Sequence, residues 1–296
     1  MPTGETASSA RCVLCGPVAA RSVVAIDGFQ IVRCPSCELV FVDTRHALPA
    51  LDELYTADYF RTQGESSLGY HDYLAHRALH LRNARALLRR LDAAVPGRPR
   101  RLLEIGCAHG FFLAAARDRG WTTRGVDVSA SAVRYARETL GLDVVLGEIG
   151  DVDVAPASLD VVALIGTIEH LADPVATLRR AAELLAPGGY LLVTTLDIEG
   201  VLRQFEWKPP EHLFYFSFRT LATVLEATGF EVAWRRWYWV WYETADLTAR
   251  LLRYWRVPAP ARVGAALRRI GIGALPIKIP TNEMIVLARK RPLAGG

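Results

Sequence analysis

LLEIGCAHGFFLAAARDRGWTTRGVDV, residues 102–128, decides how the rest of the chain is read. Leu102 to Ile105 is an apolar run interrupted only by Glu104, the length of a short buried strand. Gly106-Cys107-Ala108-His109-Gly110 then turns the chain into an apolar-faced helix over 111–119, and a second strand ends on Asp127. A glycine at 106 lets backbone pass close to a ligand, and the turn leads into a helix start whose first amides have no partner within the helix. A polar ligand is expected there.

Spacing selects the ligand. A dinucleotide fingerprint G-x-G-x-x-G needs glycines at 106, 108 and 111, where the chain has Gly106, Ala108 and Phe111. What stands here is E-x-G-x-x-x-G, Glu104 to Gly110, followed by Asp127 at a strand end, where an acid can accept both ribose hydroxyls of a nucleoside. The pattern resembles the first two motifs of the class I S-adenosylmethionine-dependent methyltransferases. That resemblance implies a cofactor pocket bordered by Glu104, Gly106, Cys107, His109, Gly110, Asp127, Val128, Glu148, Ile149 and Gly166. The competing reading of the turn alone is a plain strand-turn-helix with a glycine cap.

Downstream order favours the resemblance. Ser129 is an N-cap for a helix over 130–140 with an apolar stripe of Val133, Ala136 and Leu140, and Val144-Val145-Leu146 is a third strand. Residues 159–165 are nearly all apolar, as in a strand covered on both faces. Glu169-His170 follows, then a helix over 174–186 begun by Asp173-Pro174 and ended by Pro187-Gly188-Gly189, then a fifth strand over 190–195. The segment 169–195 resembles the family's later motifs. A helix over 220–228, a sixth strand over 230–239, a helical insertion and a seventh strand over 282–288 complete the expectation. This is an α/β protein with a Rossmann-like, seven-stranded, doubly wound sheet. The chain divides into a small zinc ribbon (1–44), a helical connector (45–100) and a core (101–296) with an insertion at 243–279.

The 296 residues, about half apolar, can bury a substantial core, and the net charge of +4 is too mild to demand nucleic acid. No apolar run is long enough to span a bilayer and the first ten residues lack an apolar signal core, so a cytoplasmic location is expected.

Four of the five cysteines form two C-x-x-C pairs, Cys12/Cys15 and Cys34/Cys37. Two such knuckles make a tetrahedral four-sulfur site suited to Zn²⁺, closed and therefore structural; a disulfide pair is the alternative in an oxidising compartment. Asp27-Gly28 is a hairpin turn between the pairs. Cys107 reads as a packed residue of the glycine turn.

Residues 52–60, LDELYTADYF read from Leu51, resemble the tyrosine-containing segment that related methyltransferases fold over the cofactor, with plain aromatic packing as the alternative. A helix over 79–91 carries Arg82, Arg85, Arg89 and Arg90, a face expected to meet solvent more readily than phosphate, and 96–99 is a linker.

The acceptor side rests on two Glu-His pairs. Glu211-His212 precedes Leu213-Phe214-Tyr215-Phe216 and resembles a stretch of sugar C-methyltransferases in which Glu and His act in proton abstraction, although Pro209 stands where those enzymes have a tyrosine. Glu169-His170 resembles a metal-holding pair of ubiquinone-pathway O-methyltransferases, but Gly166 replaces their upstream acid, so a catalytic metal is not expected; the plainer reading, that the pair starts the next helix and shapes the methionine end of the pocket, is preferred. His212 is the first candidate base, His170 the second, with Glu211 beside them. The aromatics Trp234, Trp237, Tyr238, Trp239, Trp241 and Tyr242 form a lid or substrate wall, with a dimer face and an interfacial membrane helix as further readings. The leading function is methylation of a small-molecule acceptor on O or C in a biosynthetic pathway. An RNA methyltransferase with a zinc recognition module and a non-catalytic S-adenosylmethionine-binding scaffold are the alternatives.

Overall fold

Leu102, Leu103 and Ile105 are buried on a strand that is covered on both sides, which places it at the centre of the protein. A computed structural model describes residues 7–43, 73–95, 100–200, 207–254 and 257–292. In chain order its strands are β1 (Ala7–Cys12), β2 (Gly16–Ile26), β3 (Phe29–Arg33), β4 (Val40–Val42), β5 (Arg101–Ile105), β6 (Thr122–Asp127), β7 (Val144–Leu146), β8 (Leu159–Ile165), β9 (Leu185–Leu196), β10 (Phe214–Tyr215), β11 (Phe230–Glu243) and β12 (Pro276–Lys290). Its helices are α1 (Arg77–Ala94), α2 (Phe111–Arg117), α3 (Ala130–Glu138), α4 (Pro174–Leu184), α5 (Phe218–Ala227), α6 (Thr244–Tyr254) and α7 (Pro260–Arg269).

The main sheet has the order β11-β12-β9-β8-β5-β6-β7, as the doubly wound expectation requires. β5 to β9 run parallel and β12 is antiparallel to both neighbours. The winding direction reverses at β5, and the crevice beyond the carboxyl end of such a strand is where open α/β sheets take ligands. Gly106 stands there. Helix starts follow local chemistry: Ser129, Asp173 and Ser217 each accept an amide from three residues on, at 3.4, 2.9 and 3.3 Å.

Three features of the strands differ from the sequence expectation. α4 stops at Leu184, because Leu185 already pairs with Leu159, after which the register jumps to Val161 with Tyr190. The Pro-Gly-Gly turn is therefore an excursion within a strand. β11 and β12 run well beyond 239 and 282 and pair with each other as far as Glu243 with Pro276. Because β9 ends at the Glu283–Leu196 pair, the ribbon beyond it projects past the ligand edge of the sheet and carries α6 and α7 at its tip. The third difference is β10. It pairs with β4, giving a second sheet of order β1-β2-β3-β4-β10, so the cysteine ribbon takes a strand from the segment that follows β9, far along the chain.

α1 is longer than expected and is fastened to β11 by Asn83, whose side chain bonds the Trp241 carbonyl at 3.2 Å and amide at 3.0 Å. Arg82 stays exposed, as the sequence suggests, and also lies 3.7 Å over the Trp241 ring, so it meets solvent and packs on the aromatic at once. Segment 52–60 and linker 96–99 lie outside the described residues.

Candidate active site

Gly106 has φ +68°, and a Cβ there would run into the Thr167 side chain, so a larger residue would force apart the ends of β5 and β8. Ala108 also has positive φ, 46°, a cost met by a strong bond: its amide donates to Asp127 Oδ2 at 2.7 Å. Asp127 Oδ1 accepts the Ser129 amide at 2.8 Å. One buried carboxylate thus braces both the glycine turn and the start of α3, and burial raises its pKa. Each oxygen retains acceptor capacity toward a ligand hydroxyl.

Glu104 is 3% exposed, and its Oε2 has no hydrogen-bond partner. Burial, followed by the nearby Asp127 charge, pushes its carboxyl well above the usual range. A buried acid left with an unpaired oxygen at the ligand end of a strand is costly unless a cation meets it. The methionyl ammonium of S-adenosylmethionine is such a cation, so these residues fit that cofactor.

The neighbouring positions divide by environment. Val128 is 48% exposed, as is Leu146, which pairs with Asp127 across β6 and β7; together they offer an apolar shelf at the crevice. Glu148 and Ile149 sit on a 3₁₀ turn, the Glu148 amide bonded to Asp151 Oδ2 at 2.8 Å. Gly166 has φ +60° and its amide bonds the Thr194 carbonyl at 2.9 Å. Gly110, φ +78°, begins α2 against Leu142. Cys107 is buried, and burial holds its thiol well above the ordinary range, which marks a neutral packing group. His109 is buried in an aromatic stack, 5.1 Å from Tyr73 and 6.3 Å from Phe111, with Tyr135 edge-on at 5.1 Å.

The two Glu-His pairs meet. Thr167, opposite Gly106, leads directly into a 3₁₀ turn at Ile168–His170, and the Glu169 carbonyl accepts the Leu213 amide at 2.8 Å. The His170 and His212 rings are 4.9 Å apart and edge-on. His170 Nδ1 lies 2.7 Å from the Glu211 carbonyl, and since a carbonyl only accepts, Nδ1 carries the proton and Nε2 is left as an acceptor. Glu169 is buried with Oε2 unpartnered; burial is the main cause that raises its pKa. A small cavity is lined by Glu169, Thr195, Leu196, Ile198, His212, Phe214 and Tyr215. His212 faces it; Glu211 is buried beside it. One donor atom each from Glu169, His170 and His212 falls within 4.8 Å of the others, which suits proton transfer and is also a donor set for a divalent cation.

The four cysteines Cys12, Cys15, Cys34 and Cys37 place their sulfurs within 4.8 Å of one another, with Cys12 and Cys37 at 3.5 Å, and none is disulfide-bonded. Zn–S bonds of about 2.3 Å in a tetrahedron put sulfurs about 3.8 Å apart, so this cluster fits a closed zinc site.

Sequence reasoning missed Leu146, Thr195 and Tyr73. Strand-end position relative to Asp127 could have flagged Leu146; the other two owe their places to long-range contacts.

A family model described as a methyltransferase domain matches residues 73–233, more than half of the chain. Among curated proteins, the ubiquinone biosynthesis O-methyltransferase of Thiobacillus denitrificans is 32% identical over 116 residues, covering 37% of this chain and 50% of that protein. The protein of the same name from Paracidovorax citrulli is 29% identical over 114 residues, covering 36% and 48%. The chain thus spans about half the length of these relatives. Among solved structures, a SAM-dependent methyltransferase from Archaeoglobus fulgidus has TM-score 0.53 at 19% identity, covering 74% of this chain and 100% of its own. YcgJ from Bacillus subtilis has TM-score 0.51 at 16% identity, covering 72% and 100%. Strand order, glycine turn and matched segment agree: the chain belongs to the methyltransferase domain family, on the class I S-adenosylmethionine-dependent fold.

Proposed function

We propose that this protein transfers a methyl group from S-adenosylmethionine to a hydroxyl or acidic carbon of a small biosynthetic acceptor. The observation that carries the reading is the clustering of Glu169, His170 and His212, two of which, Glu169 and His212, line a cavity one short turn from the Gly106 loop. The names of the ubiquinone-pathway relatives support a small-molecule acceptor in general terms.

Bound S-adenosylmethionine would supply a methyl already made electrophilic by its charged sulfur. The chain's task is then to hold the acceptor atom in line, keep water out and take up the acceptor proton. Glu104 would hold the methionyl ammonium, Asp127 the ribose, and Val128 with Leu146 the adenine. His212, facing the cavity, would take up the proton that the acceptor hydroxyl or carbon gives up. His170, fixed by the Glu211 carbonyl, and the buried Glu169 would orient that imidazole and balance its charge. Zinc at the four cysteines would have a structural role, since four thiolates leave no open coordination position.

The test is incubation with methyl-labelled S-adenosylmethionine and a cell extract separated into RNA, protein and metabolite pools. Label in the metabolite pool supports the reading, and label confined to RNA overturns it.

A further inference from the structure

The chain between Asp246 and Glu283 contains no acid, yet residues 247–282 include Arg250, Arg253, Arg256, Arg262, Arg268, Arg269 and Lys278. The described residues of this stretch belong to the β11–β12 arm and its tip, on the ligand side of the sheet. Its inner face is accounted for. Gly264 of α7 packs close to the Ala245 carbonyl of α6, and Arg268 reaches back to Asp246 at 2.6 Å and Glu243 at 3.2 Å. His76, ahead of α1, meets the same two acids at 3.3 and 3.2 Å, which ties the tip to the core.

The outer face has a different character. Val263 and Arg262 project from α7, and the turn after it exposes Ile270, Ile272 and Leu275, with Ile270 at 67% and Leu275 at 55%. Arg269 and Lys278 flank them, both exposed. Large aliphatic side chains interleaved with cations and no anion are disfavoured in water and poorly matched to a second copy of the same basic surface. They match a layer that is apolar below and negatively charged above.

We propose that the α7 tip of this arm docks on an anionic membrane surface, with Ile270, Ile272 and Leu275 entering the acyl boundary and Arg262, Arg269 and Lys278 meeting lipid phosphates. No described helix is long and apolar enough to cross a membrane, so the contact is interfacial. Trp237, 62% exposed on β11 just below the base of the arm, donates Nε1 to Asp197 at 3.2 Å, and the next residue, Ile198, lines the Glu169–His212 cavity. β11 therefore runs from a contact beside the candidate active site out to the docking tip, an arrangement suited to an amphiphilic acceptor.

The test is co-sedimentation of the full chain with vesicles of phosphatidylcholine alone or with roughly 30% phosphatidylserine; the anionic vesicles should bind at least about tenfold tighter, and high salt should abolish the difference. Arg262→Glu with Arg269→Glu should remove that preference, and Ile270→Asp should weaken binding to both vesicles, while methyl-donor affinity stays unchanged. Equal partition into both vesicle types, or binding indifferent to these exposed substitutions, overturns the proposal. So does a concentration-dependent dimer in sedimentation that Ile270→Asp dissociates without any vesicle preference.

Discussion

Val42 donates its amide to the Leu213 carbonyl at 2.8 Å, so a strand of the cysteine ribbon is bonded to the residue next to His212. Phe41 and Phe214 are register partners one step on, their rings 6.5 Å apart. The ribbon core, Ile31, Val32, Leu39 and Phe41, is continuous with Leu213, Phe214 and Phe216. The four cysteines are thereby coupled to the position of a candidate base while the glycine turn is built from other strands.

Removing the metal should therefore uncouple two readouts. Zinc at one atom per chain is expected by elemental analysis. Chelation, or Cys34→Ser, should lower turnover about a hundredfold or more, as expected when a catalytic group is displaced, with a much smaller effect on S-adenosylmethionine affinity. Equal loss of both would mean general unfolding.

His212→Ala should reduce kcat by about 10²- to 10⁴-fold, with cofactor affinity nearly unchanged, and added imidazole should restore part of the rate. His170→Ala should cost less, since that ring acts through its bond to the Glu211 carbonyl. Full turnover in both variants, measured at saturating donor, would remove the base assignment.

Glu104 and Glu169 have raised pKa values, with burial as the main cause, so the folded chain holds these protons more tightly than the unfolded chain. Their contribution to stability is greatest below the usual carboxylate range and falls as pH rises above it. Glu104→Gln should thus raise the thermal midpoint of the ligand-free protein at pH 8 while weakening donor binding. A lower midpoint would show that the acid has a partner within the fold.

His80 has the opposite sign. Burial, with His76 and His109 nearby, lowers it from 6.5 to about 4 while it stacks on Tyr73 at 3.9 Å. Its contribution is present above pH 6.5 and lost as pH falls toward 4, on the order of 3 kcal/mol in full. His80→Phe keeps the stack and should flatten the stability profile between pH 6.5 and 4; an unchanged slope would assign acid sensitivity elsewhere.

The sequence made visible what is local in the chain. Gly106, Asp127, Ser129 and the cysteine knuckles fall in short sequence motifs, so their spacing announced them as candidates, although Thr167 beside Gly106 is supplied by the fold. The long arm did not announce itself, because strand pairing beyond 239 depends on a partner almost forty residues away. Neither did the joining of Leu213 to Val42, nor the packing of Arg82 on Trp241, since each depends on a surface formed by another element. The two Glu-His pairs were each legible, but their meeting was not: it follows from the Glu169 carbonyl binding the Leu213 amide across the loop after β9.

Calorimetry with S-adenosylmethionine and its demethylated product tests the central claim most directly. The account predicts one saturable site per chain, weakened by about 2–3 kcal/mol in Asp127→Ala, where a charged acceptor is lost. Folded, zinc-loaded protein that binds neither compound, or an Asp127→Ala variant of unchanged affinity, would contradict it.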